Sequence, residues 1–225
     1  MKNISTLVIG ILMFAFVSCV TIGGGTTEAD RLAQVRPAIV RMAYDGGVCT
    51  AFHVGNHRFI TANHCLHSEN PKAEIELEDQ AGNTYRAIVI TTFPDNDVAI
   101  MQAGGFYGPK LELWNDGNDG ALKVGTKIMT IGYPGYNFTN FTFEVGYIKD
   151  LNFEVSNRRF ITSRDNVFRG QSGGPTISVT NGKVIGMNDA LIEMIDHLSP
   201  FAHQHGSISM YVPYDQLADA LKTVR

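Results

Sequence analysis

The chain has 225 residues, 44% of them hydrophobic, with 18 basic side chains against 22 acidic ones and a net charge of −4. That length suffices for one sizeable domain or two small fused ones, and without a basic excess nothing suggests a nucleic-acid partner, which would call for a cationic patch. The 23 glycines punctuate short strand-like runs, with no internal repeat or low-complexity tract.

The first predicted element is a targeting segment. Lys2 precedes the apolar stretch from Leu7 to Phe16, which has signal-peptide length and is short for a helix crossing roughly 30 Å of hydrocarbon. Phe16-Val17-Ser18-Cys19 resembles a bacterial lipobox, departing from it at Phe16, where Leu is commoner. Residues 1–18 are therefore expected to leave as a lipoprotein signal, with Cys19 acylated; an ordinary cleaved signal and an uncleaved anchor are the alternatives. Residues 19–30 read as a flexible tether and 31–225 as the folded domain. The expected location is outside the cytoplasm, in the periplasm or on the cell surface, with the lipid as membrane partner.

Thr27 to Val35 carries helical patterning, and strand signals then dominate. Arg58-Phe59-Ile60 runs into Thr61-Ala62-Asn63-His64-Cys65, a strand ending at a histidine. Ala73 to Glu78 alternates apolar and acidic residues, as a half-buried strand does. Asp95-Asn96-Asp97 opens the apolar run Val98-Ala99-Ile100-Met101, and Phe141 to Val145 alternates again. Turn signals lie at Gly55-Asn56-His57, at Gln80-Ala81-Gly82-Asn83 and at Thr180-Asn181-Gly182. A C-terminal helix is predicted around Asp215 to Leu221.

Gly170-Gln171-Ser172-Gly173-Gly174-Pro175 is the most informative stretch. A serine on a glycine-flanked turn is exposed, with backbone N–H groups free to converge beside it, the arrangement acyl transfer requires. Turns are rich in Gly and Ser, so the loop alone is weak. His64 and an upstream acid change its weight: a serine hydroxyl needs a base to take its proton, and the imidazole needs an acid to fix its tautomer. The α/β-hydrolase elbow also fits Gly-x-Ser-x-Gly, but its order is Ser, acid, His, whereas only 53 residues follow Ser172 and they open with a hairpin.

These segments resemble the trypsin-like, chymotrypsin-fold serine peptidases, most of all bacterial members of the HtrA/Deg type. The likeness is colinear over roughly residues 30 to 225. It includes segments with no catalytic duty: Val35 to Val40, Val124 to Pro134, Gly182 to Asn188 and Met210 to Pro213. It implies an all-β fold of two six-stranded antiparallel barrels, the first about 36–108 and the second about 120–213, with a short helix at about 214–223 and no PDZ domain after it. It implies a peptidase acting on polypeptides, with Ser172 as nucleophile, His64 as base, Asp97 rather than Asp95 as orienting acid, and the N–H groups of Gly170 and Ser172 as oxyanion hole. No cofactor and no metal is implied.

The resemblance also implies a Cys49–Cys65 disulfide, which would persist outside the cytoplasm. Two free thiols are the alternative, and a zinc site of Cys65 with His53, His64 or His67 lacks compact ligand spacing. Gln171 replaces the Asp that receives a new N-terminal amine in animal enzymes, so activity without N-terminal insertion is expected, or an oxyanion loop ordered by other contacts. The resemblance places the specificity pocket at Asn166, with Val167 next and Asn188 at a pocket position, the edge that pairs with the substrate backbone at Asp189-Ala190-Leu191, and Asp165 nearby. No basis for Arg, Lys or Glu preference is visible, and small or medium apolar residues are expected before the cleaved bond. His203-Gln204-His205 and the sequons at Asn137 and Asn140 are background features. The competing class is a surface lipoprotein using a peptidase fold only to bind.

Overall fold

The computed structural model describes residues 26–66, 74–135, 141–165, 167–194 and 206–224. Cys19, His67, Asn137, Asn166, His203 and His205 lie outside the described residues. The helix α1 (Glu28–Val35) leads into β1 (Ile39–Tyr44), β2 (Gly47–Gly55), β3 (Arg58–Ala62), β4 (Ile75–Glu78), β5 (Thr84–Phe93) and β6 (Val98–Ala103). These six strands close as an antiparallel barrel in the order β1-β2-β3-β6-β5-β4. After a short helix α2 (Asp116–Asp119) come β7 (Lys127–Gly132), β8 (Thr142–Val155), β9 (Arg158–Ser163), β10 (Pro175–Ser178), β11 (Val184–Met194) and β12 (Gly206–Pro213), then α3 (Tyr214–Lys222). The second set closes as β10-β11-β12-β9-β8-β7. The two expected barrels and the short C-terminal helix are present.

Local chemistry explains the closures. Asp45-Gly46, Asn56-His57 and Ser156-Asn157 each join paired strands by two residues with positive φ. Such turns match the right-handed twist of the strands they join. Alternation then sorts side chains between two destinations. In β3 and β6, Phe59 and Met101 fill the first barrel, whereas Ile60 and Ile100 face the seam between the barrels. Ile128, Ile148, Ile161, Ile185 and Tyr211 fill the second barrel. The seam cluster joins Ile39, Phe52, Ile60 and Ile100 to Met129, Ile131, Met187 and Val212, and Leu217 of α3 closes over it. Strands buried on both faces explain why β3, β6 and β7 read as continuous apolar runs rather than alternating ones.

α1 starts inside the stretch expected as tether. Thr27 caps it: the Thr27 hydroxyl accepts from the Asp30 N–H, and the Asp30 carboxylate accepts from the Thr27 N–H, a reciprocal cap that satisfies two otherwise orphaned donors. Buried Arg31 then donates to the carbonyls of Val179 at 3.0 Å and Thr180 at 2.6 Å. α1 is thereby strapped to the second barrel while its C-terminus feeds the first.

Cys49 in β2 and Cys65 in the turn after β3 form the expected disulfide, with Cα atoms 6.2 Å apart across 16 residues of sequence. It pins the turn that carries His64. The Cys49→Ala/Cys65→Ala variant is expected to lose about 2–4 kcal/mol, the usual range for such a closed loop, measured by urea unfolding against the oxidised parent.

Candidate active site

β3 delivers a 3-10 turn, Asn63–Leu66, at the rim of the first barrel. β6 begins beside it, after a turn that leaves Asp97 in the left-handed region at φ 55, a conformation that Asp tolerates better than bulky residues. The Asn63 N–H donates to the Asp97 carbonyl at 3.0 Å. The Asp97 carboxylate accepts from the His64 N–H at 2.7 Å and from His64 Nδ1 at 2.6 Å. Asp97 is thus the partner of His64, while Asp95 is exposed. With its proton held on Nδ1, the ring keeps Nε2 as its basic nitrogen. The hydrogen bond to Asp97 raises the His64 pKa above its ordinary 6.5 against the opposing effect of burial; the charge of Asp189 adds to the rise and that of Arg158 subtracts from it.

The second barrel contributes the loop between β9 and β10. Gly170 has φ 93, and a Cβ there would lie 2.3 Å from the Gly135 nitrogen. Gly173 has φ 81, and a Cβ there would lie 2.3 Å from the Thr50 carbonyl oxygen. The loop is held by the Gln171 N–H to the Phe168 carbonyl at 3.0 Å, Gly174 N–H to the Gln171 carbonyl at 2.9 Å, and Gly173 N–H to the Asn188 carbonyl at 2.8 Å. Among the described residues, the N–H groups of Gly170 and Ser172 have no such backbone acceptor. They are the two donors available to an oxyanion. The Ser172 hydroxyl makes a long bond, 3.4 Å, to the Asp189 carbonyl, weak enough for the hydroxyl to be re-aimed when substrate arrives.

Gln171 is fully buried. Its side-chain Oε1 accepts from the Phe168 N–H at 2.8 Å and its side-chain Nε2 donates to the Thr142 hydroxyl at 2.8 Å. A neutral side chain therefore orders this loop by internal hydrogen bonds.

Thr50 of β2, which the sequence reading passed over, ties the two halves together. Its N–H donates to the Ser172 carbonyl at 2.9 Å, and its hydroxyl donates to the Gly170 carbonyl at 2.8 Å and accepts from the Tyr133 N–H at 2.9 Å. All of this is buried, so each contact counts as a bond that water cannot replace.

The residues expected to line a specificity pocket fall in different places. Asn188 is completely buried: its amide donates to the carbonyls of Ile131 and Gln171, and its oxygen accepts from the Thr176 hydroxyl. It braces the loop from behind. Val167 packs into the core of the second barrel. Asp165 is absorbed by the hydroxyls of Thr130, Ser163 and Tyr211. Ala190 is half-buried on β11. Asp189 points at the triad, where ligand atoms of Asp189, Asp97 and His64 lie within 4.8 Å of one another. Those atoms are engaged with each other and with Arg158, which pairs with Asp189. The zinc alternative does not hold for Cys65, whose sulfur is in the disulfide, and His53 instead packs against Phe59 and Phe106.

The sequence carried one unread signal for Asp189. Two adjacent polar residues, Asn188-Asp189, interrupt an apolar strand and break its alternation, which marks a bulge. Thr142 and Arg158 left no local signal, since their partners are 29 and 31 residues away.

Thr50→Val keeps the shape of the side chain but strands the Tyr133 N–H and the Gly170 carbonyl. It is expected to lose about 2–4 kcal/mol, seen as a lower urea midpoint at unchanged slope. Thr50→Ser, which keeps the hydroxyl, should lose only about 1 kcal/mol for the missing methyl.

No curated protein sequence matches the chain. The sequence pattern of the trypsin-like peptidase domain matches residues 49–187, more than half the chain and the span that holds His64, Asp97 and Ser172. With the two closed barrels, that match identifies the chain as a member of the trypsin-like peptidase family.

Proposed function

We propose that the protein is an exported serine endopeptidase that cleaves polypeptides through an acyl-enzyme. The observation that carries this reading is the His64–Asp97 pair at 2.6 Å, set on one barrel beside a serine turn on the other whose Gly170 and Ser172 N–H groups have no backbone acceptor among the described residues. In the proposed reaction the Ser172 Oγ attacks the scissile carbonyl carbon while His64 Nε2 takes its proton. The two N–H groups stabilise the oxyanion, and collapse expels the amine with the proton from His64. Water then attacks the ester, again losing its proton to His64, and Ser172 is released. Asp97 orients the ring and offsets the charge of the imidazolium.

Export and a lipid anchor at Cys19 belong to the same proposal. The disulfide supports export, since such bonds persist in oxidising compartments, and the lipobox-like Phe16-Val17-Ser18-Cys19 supports the anchor. The motif-level likeness to HtrA/Deg enzymes and the preference for a small or medium apolar residue before the cleaved bond are further parts of it. The internal bonding of Gln171 supports activity without a defined N-terminal cleavage.

A fluorophosphonate probe is expected to label the folded protein on one residue, with labelling abolished in Ser172→Ala. Folded protein that takes up no probe would overturn the peptidase reading and favour a binding role. The base must be neutral to accept a proton, and His64 is raised above 6.5. The acid limb of kcat/KM is therefore expected above pH 6.5, with activity growing as pH rises through it. Asp97→Asn should move that limb down and lower kcat by about 10⁴-fold, read from pH–rate profiles on a peptide substrate.

A further inference from the structure

Asp189 has a place in the fold that neither barrel closure nor the three-residue mechanism requires. In the pairing of β11 with β12, Asn188 stands opposite Tyr211 and Ala190 opposite Met210, so Asp189 is the extra residue of a bulge. A bulge suspends strict alternation and re-aims a side chain. Here it lets two successive polar side chains find separate sites: Asn188 behind the serine loop, and Asp189 against His64 and Asp97. The Asp189 side chain is only 8% exposed, as is that of Asp97. Two carboxylates so placed repel each other, and one imidazole cannot neutralise both. The balancing charge comes from Arg158, the first residue of β9. Its guanidinium pairs with the Asp189 carboxylate and lies 4.7 Å over the ring of Phe160, a stacking that restricts where it can reach.

We propose that Asp189 and Arg158 are positioning residues for His64: their ion pair balances a second buried carboxylate, so the imidazole stays bonded to Asp97 and meets Ser172 as a neutral ring. This rests on the serine-peptidase reading. The charged groups acting on His64 come from three places, Asp97 in the turn just before β6, Asp189 in β11 and Arg158 in β9. The same groups act on Asp189: burial and Asp97 push its carboxyl up, while Arg158 and His64 hold it down. Arg158 follows directly on the Ser156-Asn157 turn, so the tip of the β8–β9 hairpin is linked to the catalytic base through one ion pair.

The test is an NMR titration of the His64 ring, with the pH dependence of fluorophosphonate labelling, in the parent, Asp189→Asn, Arg158→Lys and Arg158→Gln/Asp189→Asn. Asp189→Asn leaves the Arg158 charge unbalanced beside the ring. It should move both the His64 titration and the acid limb of labelling down by about half a pH unit or more. The double variant should recover at least half of that shift, and Arg158→Lys should keep the parent profile. Asp189→Asn within about 0.2 pH unit of the parent, or a double variant no nearer to the parent than the single one, would overturn the proposal. If Asp189→Asn does not fold, Arg158→Met on the part-exposed partner reads the same balance. Its His64 titration must then differ from that of Arg158→Lys, and coincidence of the two would overturn the proposal. The titration reads His64 whether or not Ser172 acylates. A parent that titrates as expected but never labels fails the peptidase reading alone, and a parent that labels while Asp189→Asn leaves the titration in place fails this proposal alone.

Discussion

At the seam between the barrels, the Thr50 hydroxyl stands between the Tyr133 N–H and the Gly170 carbonyl, and the Thr50 N–H reaches the Ser172 carbonyl. Thr50 belongs to the strand that also carries Cys49, and Cys65 on the other side of the disulfide follows His64 directly. One strand of the first barrel is therefore bonded to the turn that bears the histidine and to the loop that bears the serine. Sliding one barrel past the other would break several buried hydrogen bonds at once, each expensive to leave unmade. The relative placement of His64 and Ser172 depends on this connection.

The apolar seam and the polar bolt do different jobs. Burial of Ile39, Phe52, Ile60, Met129, Ile131 and Met187 holds the barrels together, but the hydrophobic effect has no direction and tolerates small rotations. Thr50, Thr61 and Asn188 are wholly buried among these side chains and supply the directionality. The Thr61 hydroxyl donates to the Thr50 carbonyl at 2.8 Å, which keeps the first half of β2 in step with the end of β3 that leads into the His64 turn. Arg31 adds a third tie by binding the turn after β10 at Val179 and Thr180.

How much of this could be read from the residues depended on the range of the cause. His64, Asp97 and Ser172 sit in short motifs whose residue types are dictated by local backbone needs: the left-handed Asp97, and a glycine at 170 where a side chain would meet Gly135. Such requirements leave a mark within a few positions, and the two-barrel architecture was legible only as what the resemblance carried by these motifs implies. The pocket assignments had no comparable local mark. Asn188 was placed in the pocket by its position in the resemblance, yet its side chain is buried behind the serine loop, beside the bulge at Asp189. Val167 was placed by counting back from the serine, yet an apolar residue beside the second barrel packs into its core. Arg158 and Thr142 matter only through partners brought close by barrel closure. The helical patterning of Thr27 to Val35 was legible because its cause is local, and only the expected tether end at residue 30 overlaps the helix that the reciprocal Thr27–Asp30 cap begins.

Gly173 carries one more consequence. Its α-carbon approaches the first barrel so closely that a single methyl group would sit 2.3 Å from both the Thr50 carbonyl oxygen and the Thr61 hydroxyl. The gap between the two halves at this point is set by a hydrogen atom, and the halves cannot drift apart in sequence independently. A chimera that joined this C-terminal half to an unrelated N-terminal half would have to recreate the surface of Thr50 and Thr61 before the identity of its reactive side chains mattered at all.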